Sequence, residues 1–217
     1  MKITKRHVIQ YFLGISLAAI GITIMIQTNI GSAAWDALFV HFSQVTNLSV
    51  GQARLIIELS LIPIILLIKF QYKVLLSIFA SLIISISVDI FTLIVVNLNI
   101  LLFFEKHYLL LWLLWFIGLN GVAAGVAFIV KSMLFAVPVD ALMIAIMSRF
   151  NIASITLAKT IVESIAFLFA LLLFVMGNLE HGDLGFGAIG IGTIASFVLI
   201  GPLIGLYTKL ITRQNHN

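Results

Sequence analysis

Six stretches of the chain, 8–29, 51–69, 73–96, 107–130, 154–176 and 185–210, are apolar over the length needed to cross a bilayer. Nothing else constrains the fold as much. In hydrocarbon such a run must satisfy its own backbone N–H and C=O groups, which a helix does within one segment. Little polar chain remains around the runs. Only 9% of the 217 residues are charged and 62% are hydrophobic, whereas a soluble domain carries about 25% charged residues. Twelve Lys and Arg with eight Asp and Glu do not cover a water-facing globule of this size. A soluble enzyme, a nucleic-acid binder and a disordered chain are excluded. The expectation is an all-α polytopic membrane protein, a single transmembrane domain whose first partner is the lipid bilayer.

Two more segments, 34–46 and 137–149, are too short to span and are polar at their starts. They read as short interfacial or re-entrant helices, and the sequence leaves that choice open. The formal charge of +4 points to loops rather than to nucleic acid. With the N-terminus inside, Lys2, Lys5, Arg6, Lys69, Lys73, Lys131, Arg149, Lys209 and Arg213 fall on the cytoplasmic side. The outer side holds Lys106 with Glu105, Glu180 and Asp183. That bias predicts a multi-pass protein with both termini cytoplasmic. The first run resembles a signal peptide ending at Gly31-Ser32-Ala33-Ala34, but its length and its partner later in the chain predict that it is retained.

That partner is part of an internal repeat. A shift of 104 residues lays Phe12-Leu13-Gly14 on Phe116-Ile117-Gly118, and Ala19 and Gly21 on Ala123 and Gly125. It also lays Asp36-Ala37-Leu38 on Asp140-Ala141-Leu142, and Asn47 on Asn151. After one inserted residue, Ser49, Ala53, Arg54 and Glu58 meet Ser154, Ala158, Lys159 and Glu163. Matched Leu and Ile carry no information in so apolar a chain. Charges do: Asp36, Arg54 and Glu58 are the only charged residues in 12–58, and each meets a like charge. The repeats, about 8–100 and 107–213, each hold three spans. An odd number predicts opposite directions through the membrane, an inverted repeat.

The motif Gly31-Ser32-Ala33-Ala34-Trp35-Asp36-Ala37-Leu38, followed by Thr46-Asn47-Leu48-Ser49-Val50-Gly51, resembles the signature of the YczE/YyaS/YitT family of bacterial membrane proteins. Gly192-Thr193 and Ile200-Gly201-Pro202 add to the likeness. Ala34 stands where the family commonly has Pro, whereas the second half keeps Val137-Pro138-Val139-Asp140. The resemblance implies six spans in a bacterial inner membrane and assigns no activity.

Ionisable groups in hydrocarbon cost several kcal/mol, so each needs a partner or a purpose. Arg54 with Glu58, and Lys159 with Glu163, are spaced i, i+4 and share a helix face. They either neutralise one another or line a cavity for a charged solute. Asp36 and Asp140 open the short helices, as caps on free N–H groups or as partners of Arg54 and Lys159. Ser77, Ser81, Ser85 and Asp89 recur every four residues, with Thr92 beyond. The stripe is either a hydrated path with Asp89 protonatable or interhelical hydrogen bonding. Asn120 is placed to bond across helices or touch solute.

Gly14, Gly21, Gly118, Gly125, Gly201 and Gly205, and the run Gly185, Gly187, Gly190 and Gly192, read as sites of close helix packing. Trp35, Trp112, Trp115, Tyr108 and Tyr207 read as an interfacial belt. His7, His41, His107, His181 and His216 have no ligand spacing and the chain has no Cys, so neither a metal nor another cofactor is expected. Nucleotide, metalloprotease, serine-hydrolase and dinucleotide signatures are missing, and catalysis is not expected. The leading expectation is a secondary transporter of a small polar or amphipathic solute. The rival is a non-transporting scaffold or accessory factor with a protein partner or a homodimer contact.

Overall fold

The same local signals end the two short helices. In the computed structural model, which describes residues 4–99, 101, 104, 107–181 and 188–213, α2 (Ala34–Thr46) stops at Asn47 and α6 (Pro138–Phe150) stops at Asn151. Both Asn residues are left-handed, at φ 56° and 52°, a conformation Asn tolerates better than most side chains. The amide of Leu48 donates to Ser43 O (3.1 Å), and that of Ile152 to Met147 O (3.0 Å). The next helices, α3 (Val50–Ile68) and α7 (Ile155–His181), again start alike. Ser49 Oγ accepts from the Gln52 amide (3.1 Å), and Ser154 Oγ from the Leu157 amide (3.2 Å). These are the positions that the sequence repeat aligns.

The remaining helices are α1 (Lys5–Gln27), α4 (Ser77–Asn97) after a 3-10 turn at Tyr72–Leu76, α5 (Tyr108–Ser132) and α8 (Ile191–Arg213). Six helices are long and apolar enough to cross a membrane: Lys5–Gln27, Val50–Ile68, Tyr72–Asn97, Tyr108–Ser132, Leu157–Leu179 and Ile191–Thr212. Their outward faces are apolar, with Ile9, Phe12 and Leu13 exposed on α1, Leu168 and Leu172 on α7, and Ile194 and Val198 on α8. Such faces are what lipid requires and water does not tolerate. The protein is an all-helical, multi-pass membrane protein.

Two boundaries differ from the hydropathy reading. The fifth span runs on to His181 instead of ending near 176, and the sixth begins at Ile191 instead of 185. At the second boundary, residues 188–190 are apolar or small but non-helical, because their backbone is used elsewhere. Ala188 O accepts from the Ser32 amide (2.9 Å), and the Gly190 amide donates to Thr193 Oγ1 (3.1 Å). Lys2, Glu105, Lys106, Asp183, Gly185, Gly187 and His216 lie outside the described residues, as do the side chains of Glu180, His181 and Arg213.

The helices gather into two units. One comprises Met1–Ala33, Ser87–Leu134 and Gly187–Asn217; the other comprises Ala34–Ile86 and Phe135–Phe186. The first unit therefore holds α1, α5, α8 and the second half of α4. Its tightest contact is between α1 and α5, at their glycines. A Cβ on Gly14 would lie 2.7 Å from Gly125 O, and one on Gly125 would lie 2.6 Å from Gly14 O. Gly21 and Gly118 oppose each other in the same way. Gly14 against Gly125 and Gly21 against Gly118 means that the two helices run antiparallel. Without side chains, the backbones approach until dispersion and carbonyl contacts replace side-chain packing. Gly31, at φ +126°, turns the chain after α1 where an L side chain would be strained and would also meet Thr193 N at 2.7 Å. Trp115 Nε1 donates to Gly31 O and closes this corner.

In the second unit, α2 packs on α7 and α6 packs on α3, with α2 also against α3 and α6 against α7. Each short helix thus lies against the long helix of the other half of the sequence.

Three packing expectations are corrected. Trp35 and Trp115 are buried rather than interfacial, at 7% and 1% exposure. Burial of an indole inside the protein satisfies its large apolar area as well as a headgroup layer does. Tyr207 is half-buried and donates to Asn120 Oδ1 (2.9 Å). Gly201 and Gly205 have nothing within 4 Å of a Cβ and are exposed, so they pack against no other helix of the described chain.

Candidate functional site

The second unit collects the charges that the repeat had matched. Asp36 lies in the first turn of α2. Arg54 and Glu58 lie one turn apart on α3, so their side chains leave the same face. Arg54 Nη2 meets Glu58 Oε1 at 2.9 Å, and Arg54 Nη1 meets Asp36 Oδ1 at 3.5 Å. The guanidinium carbon also sits 5.1 Å from the centroid of the Phe39 ring, a cation–π distance. Asp36 and Arg54 are each 6% exposed and Glu58 is 0% exposed. Two carboxylates therefore share one buried guanidinium. Among the described residues, Glu58 Oε2 and Arg54 Nε have no hydrogen-bond partner. A buried carboxylate oxygen without a donor is a costly arrangement, and it is the first feature here that sequence spacing alone did not supply.

The other half supplies Asp140 in the first turn of α6 and Lys159 and Glu163 on α7. All three are half-buried. The helices that carry Asp36 and Asp140, α2 and α6, both pack on α7, which carries Glu163, and both aspartates act electrostatically on it. The internal pairing of the two sets of three charges differs. Arg54 closes ion pairs with both of its carboxylates, whereas Lys159 closes none with Glu163 or Asp140 among the described residues. A flexible ammonium is a point donor and does not bridge two carboxylates as a planar guanidinium does.

The capping expectation for the aspartates needs correction. The N-cap of α6 is Val137 with Pro138 following, and Asp140 stands further in, within the first turn. Asp36 likewise lies inside α2 and spends its carboxylate on Arg54. A first-turn carboxylate still faces the positive end of the helix dipole, so location and ion pairing act together.

The serine stripe is buried over Ser77, Ser81 and Ser85, and Asp89 is half-buried. Ser77 Oγ donates to Val74 O, whereas Ser81 Oγ and Ser85 Oγ have no hydrogen-bond partner among the described residues. Asn120 donates to Phe116 O (2.8 Å) and accepts from Tyr207, so it bonds across α5 and α8. It lies in the first unit and the six charges lie in the second.

Sequence reasoning passed over two residues. Phe39 has no distinguishing signal among seventeen Phe, apart from standing three residues after Asp36. His41 is 1% exposed, with Nδ1 3.1 Å from Gln44 Oε1 and its ring against Phe174. No ligand spacing surrounds it in the sequence. Among the described residues, no three His, Cys, Asp or Glu converge as a metal site.

A model of a family described as a family of unknown function, DUF6198, matches residues 5–209. The chain belongs to this family. A Bacillus subtilis (strain 168) protein, "Uncharacterized protein YyaS", is 27% identical over 205 residues, which is 94% of this chain and 93% of that protein. No solved structure matches.

Proposed function

We propose that this family member is a secondary transporter of a small polar or amphipathic solute, working by alternating access. The observation that carries the reading is the gathering of Asp36, Arg54, Glu58, Asp140, Lys159 and Glu163 within one unit, three from each half of the chain. Ionisable groups in membrane helices are expensive, and a solute pathway is one of the functions that keeps them there.

Several features support an inverted-repeat arrangement. The short helices end on equivalent Asn residues with equivalent hydrogen bonds. Gly14 opposes Gly125 and Gly21 opposes Gly118, contacts that exchange with one another when the two halves are swapped. The pairs α2 with α7 and α6 with α3 exchange in the same way. Such a plan supports two conformations, open to opposite faces, around a site at the repeat interface. The Lys and Arg distribution favours cytoplasmic termini, and the likeness to a bacterial relative favours a bacterial cell membrane. Asp89, below the buried serines, is our choice for a coupling proton.

Solute uptake by the purified protein in liposomes tests the reading, using a metabolite panel with and without a pH gradient. Uptake of a panel member is expected to saturate, and to fall to the empty-liposome rate in Asp89→Asn and Glu163→Gln. Both variants are expected to reconstitute at native yield. Full flux in both variants would leave the charges with a structural role only.

A further inference from the structure

A separate group of cations gathers where α3 and α6 end in the second unit. The spans Val50–Ile68 and Tyr72–Asn97 are joined by residues 69–71 alone. Such a link reaches about 10 Å at full extension and must also turn back, so it stays in the headgroup layer. It carries Lys69, and Lys73 follows in the 3-10 turn that packs on α3. Lys69 Nζ donates to Ser148 Oγ, which ties the end of α3 to the last turn of α6 and brings Arg149 to the same corner. Lys69 is thus held by a neutral hydroxyl that leaves its charge uncompensated. Lys73 and Arg149 are exposed. None of the three cations closes an ion pair among the described residues, and no Asp or Glu stands in 64–76 or 144–152. Phe70 and Tyr72 between the lysines are exposed aromatic rings.

We propose that this corner binds an anionic phospholipid of the surrounding leaflet by its phosphate, whether or not the protein transports a solute. The Arg149 guanidinium suits the phosphate oxygens in a two-pronged grip, and the two ammonium groups add point charges. Phe70 and Tyr72 supply rings of the kind that rest at headgroup level. A zwitterionic headgroup cancels its own phosphate charge, so it gains less from three cations with no acid beside them. The repeat gives an internal comparison, since it lays Phe174, Asn178, Gln44 and Val45 on Lys69, Lys73, Ser148 and Arg149. There Phe174 packs on the His41 ring, so the equivalent corner forms without any cation. The repeat keeps its charges at Asp36, Arg54 and Glu58 but not here. Charges that only set the direction of insertion need no such gathering by a hydrogen bond between two helix ends.

Native mass spectrometry of the full-length protein in detergent tests the site, with phosphatidylglycerol and phosphatidylcholine of identical acyl chains as probes. Phosphatidylglycerol is expected to bind more tightly than phosphatidylcholine, by about tenfold or more. The triple variant Lys69→Gln, Lys73→Gln, Arg149→Gln is expected to lose that preference. The double variant Lys73→Gln, Arg149→Gln changes exposed side chains only and is expected to lose most of it with a native size-exclusion profile. Lys5→Gln with Lys209→Gln removes two basic residues elsewhere in the chain and is expected to keep the preference. Equal binding of the two lipids overturns the proposal, and so does a preference that survives in the triple variant. A loss in the Lys5 and Lys209 variant as large as in the double variant also overturns it, by reducing the effect to net charge. Displacement of phosphatidylglycerol by inorganic phosphate, at concentrations where chloride of equal ionic strength does nothing, assigns the corner to a free anion and overturns it too.

Discussion

Arg54→Ala is expected to destabilise the protein more than any other single charge removal, by about 3–5 kcal/mol. The guanidinium is the direct partner of both Asp36 and Glu58, and all three side chains are buried. Removing it leaves two buried carboxylates facing each other, and their desolvation penalty is then opposed by nothing. Loss of the contact with Phe39 adds about 0.5–2 kcal/mol. Thermal unfolding in detergent, followed by size-exclusion, is the readout, with a large drop in midpoint and in monodisperse yield expected. The combined variant Asp36→Asn, Arg54→Leu, Glu58→Leu is expected to recover most of the loss, since a neutral cluster has no charge to desolvate. Lys159→Ala supplies the internal comparison. Lys159 is half-buried and closes no direct ion pair among the described residues, so its removal is expected to change stability much less.

Gly125→Leu is expected to prevent α1 and α5 from docking, and Gly125→Ala to cost about 1–3 kcal/mol. A Cβ at Gly125 would stand 2.5 Å from Ala18 N and 2.6 Å from Gly14 O, which are backbone atoms. No rotamer change relieves such a clash, so the helices must separate along the whole crossing and forfeit dispersion contacts on both sides. Gly201→Ala and Gly205→Ala are the controls. Nothing lies within 4 Å of either position, and both are expected to unfold within about 0.5 kcal/mol of the native protein. The same thermal midpoint measurement separates the two pairs.

The span pattern was legible because twenty-residue apolar runs have one structural solution in lipid. Both short helices were legible to within a residue, since their ends carry positional chemistry: Pro138 at a start and Asn47 and Asn151 at the ends. The six charges were legible because they are rare. What the sequence hid is packing partnership. Leu and Ile on every face of a helix give no direction, so nothing in the residues placed α2 on α7 or left Gly201 and Gly205 uncovered. Phe39 under Arg54 was hidden for the same reason, as an aromatic residue among many. The start of α8 was misread because hydropathy does not sense that Ala188 O is already bonded to Ser32.

Alternating access is the central claim, and the absence of Cys from the chain makes it directly measurable. A single Ala141→Cys substitution, beside Asp140 and half-buried, is labelled with a membrane-impermeant maleimide added to one face of oriented vesicles at a time. The account predicts slow modification from each face in separate experiments, with solute changing the ratio of the two rates. Modification from one face only, or from neither, would contradict it.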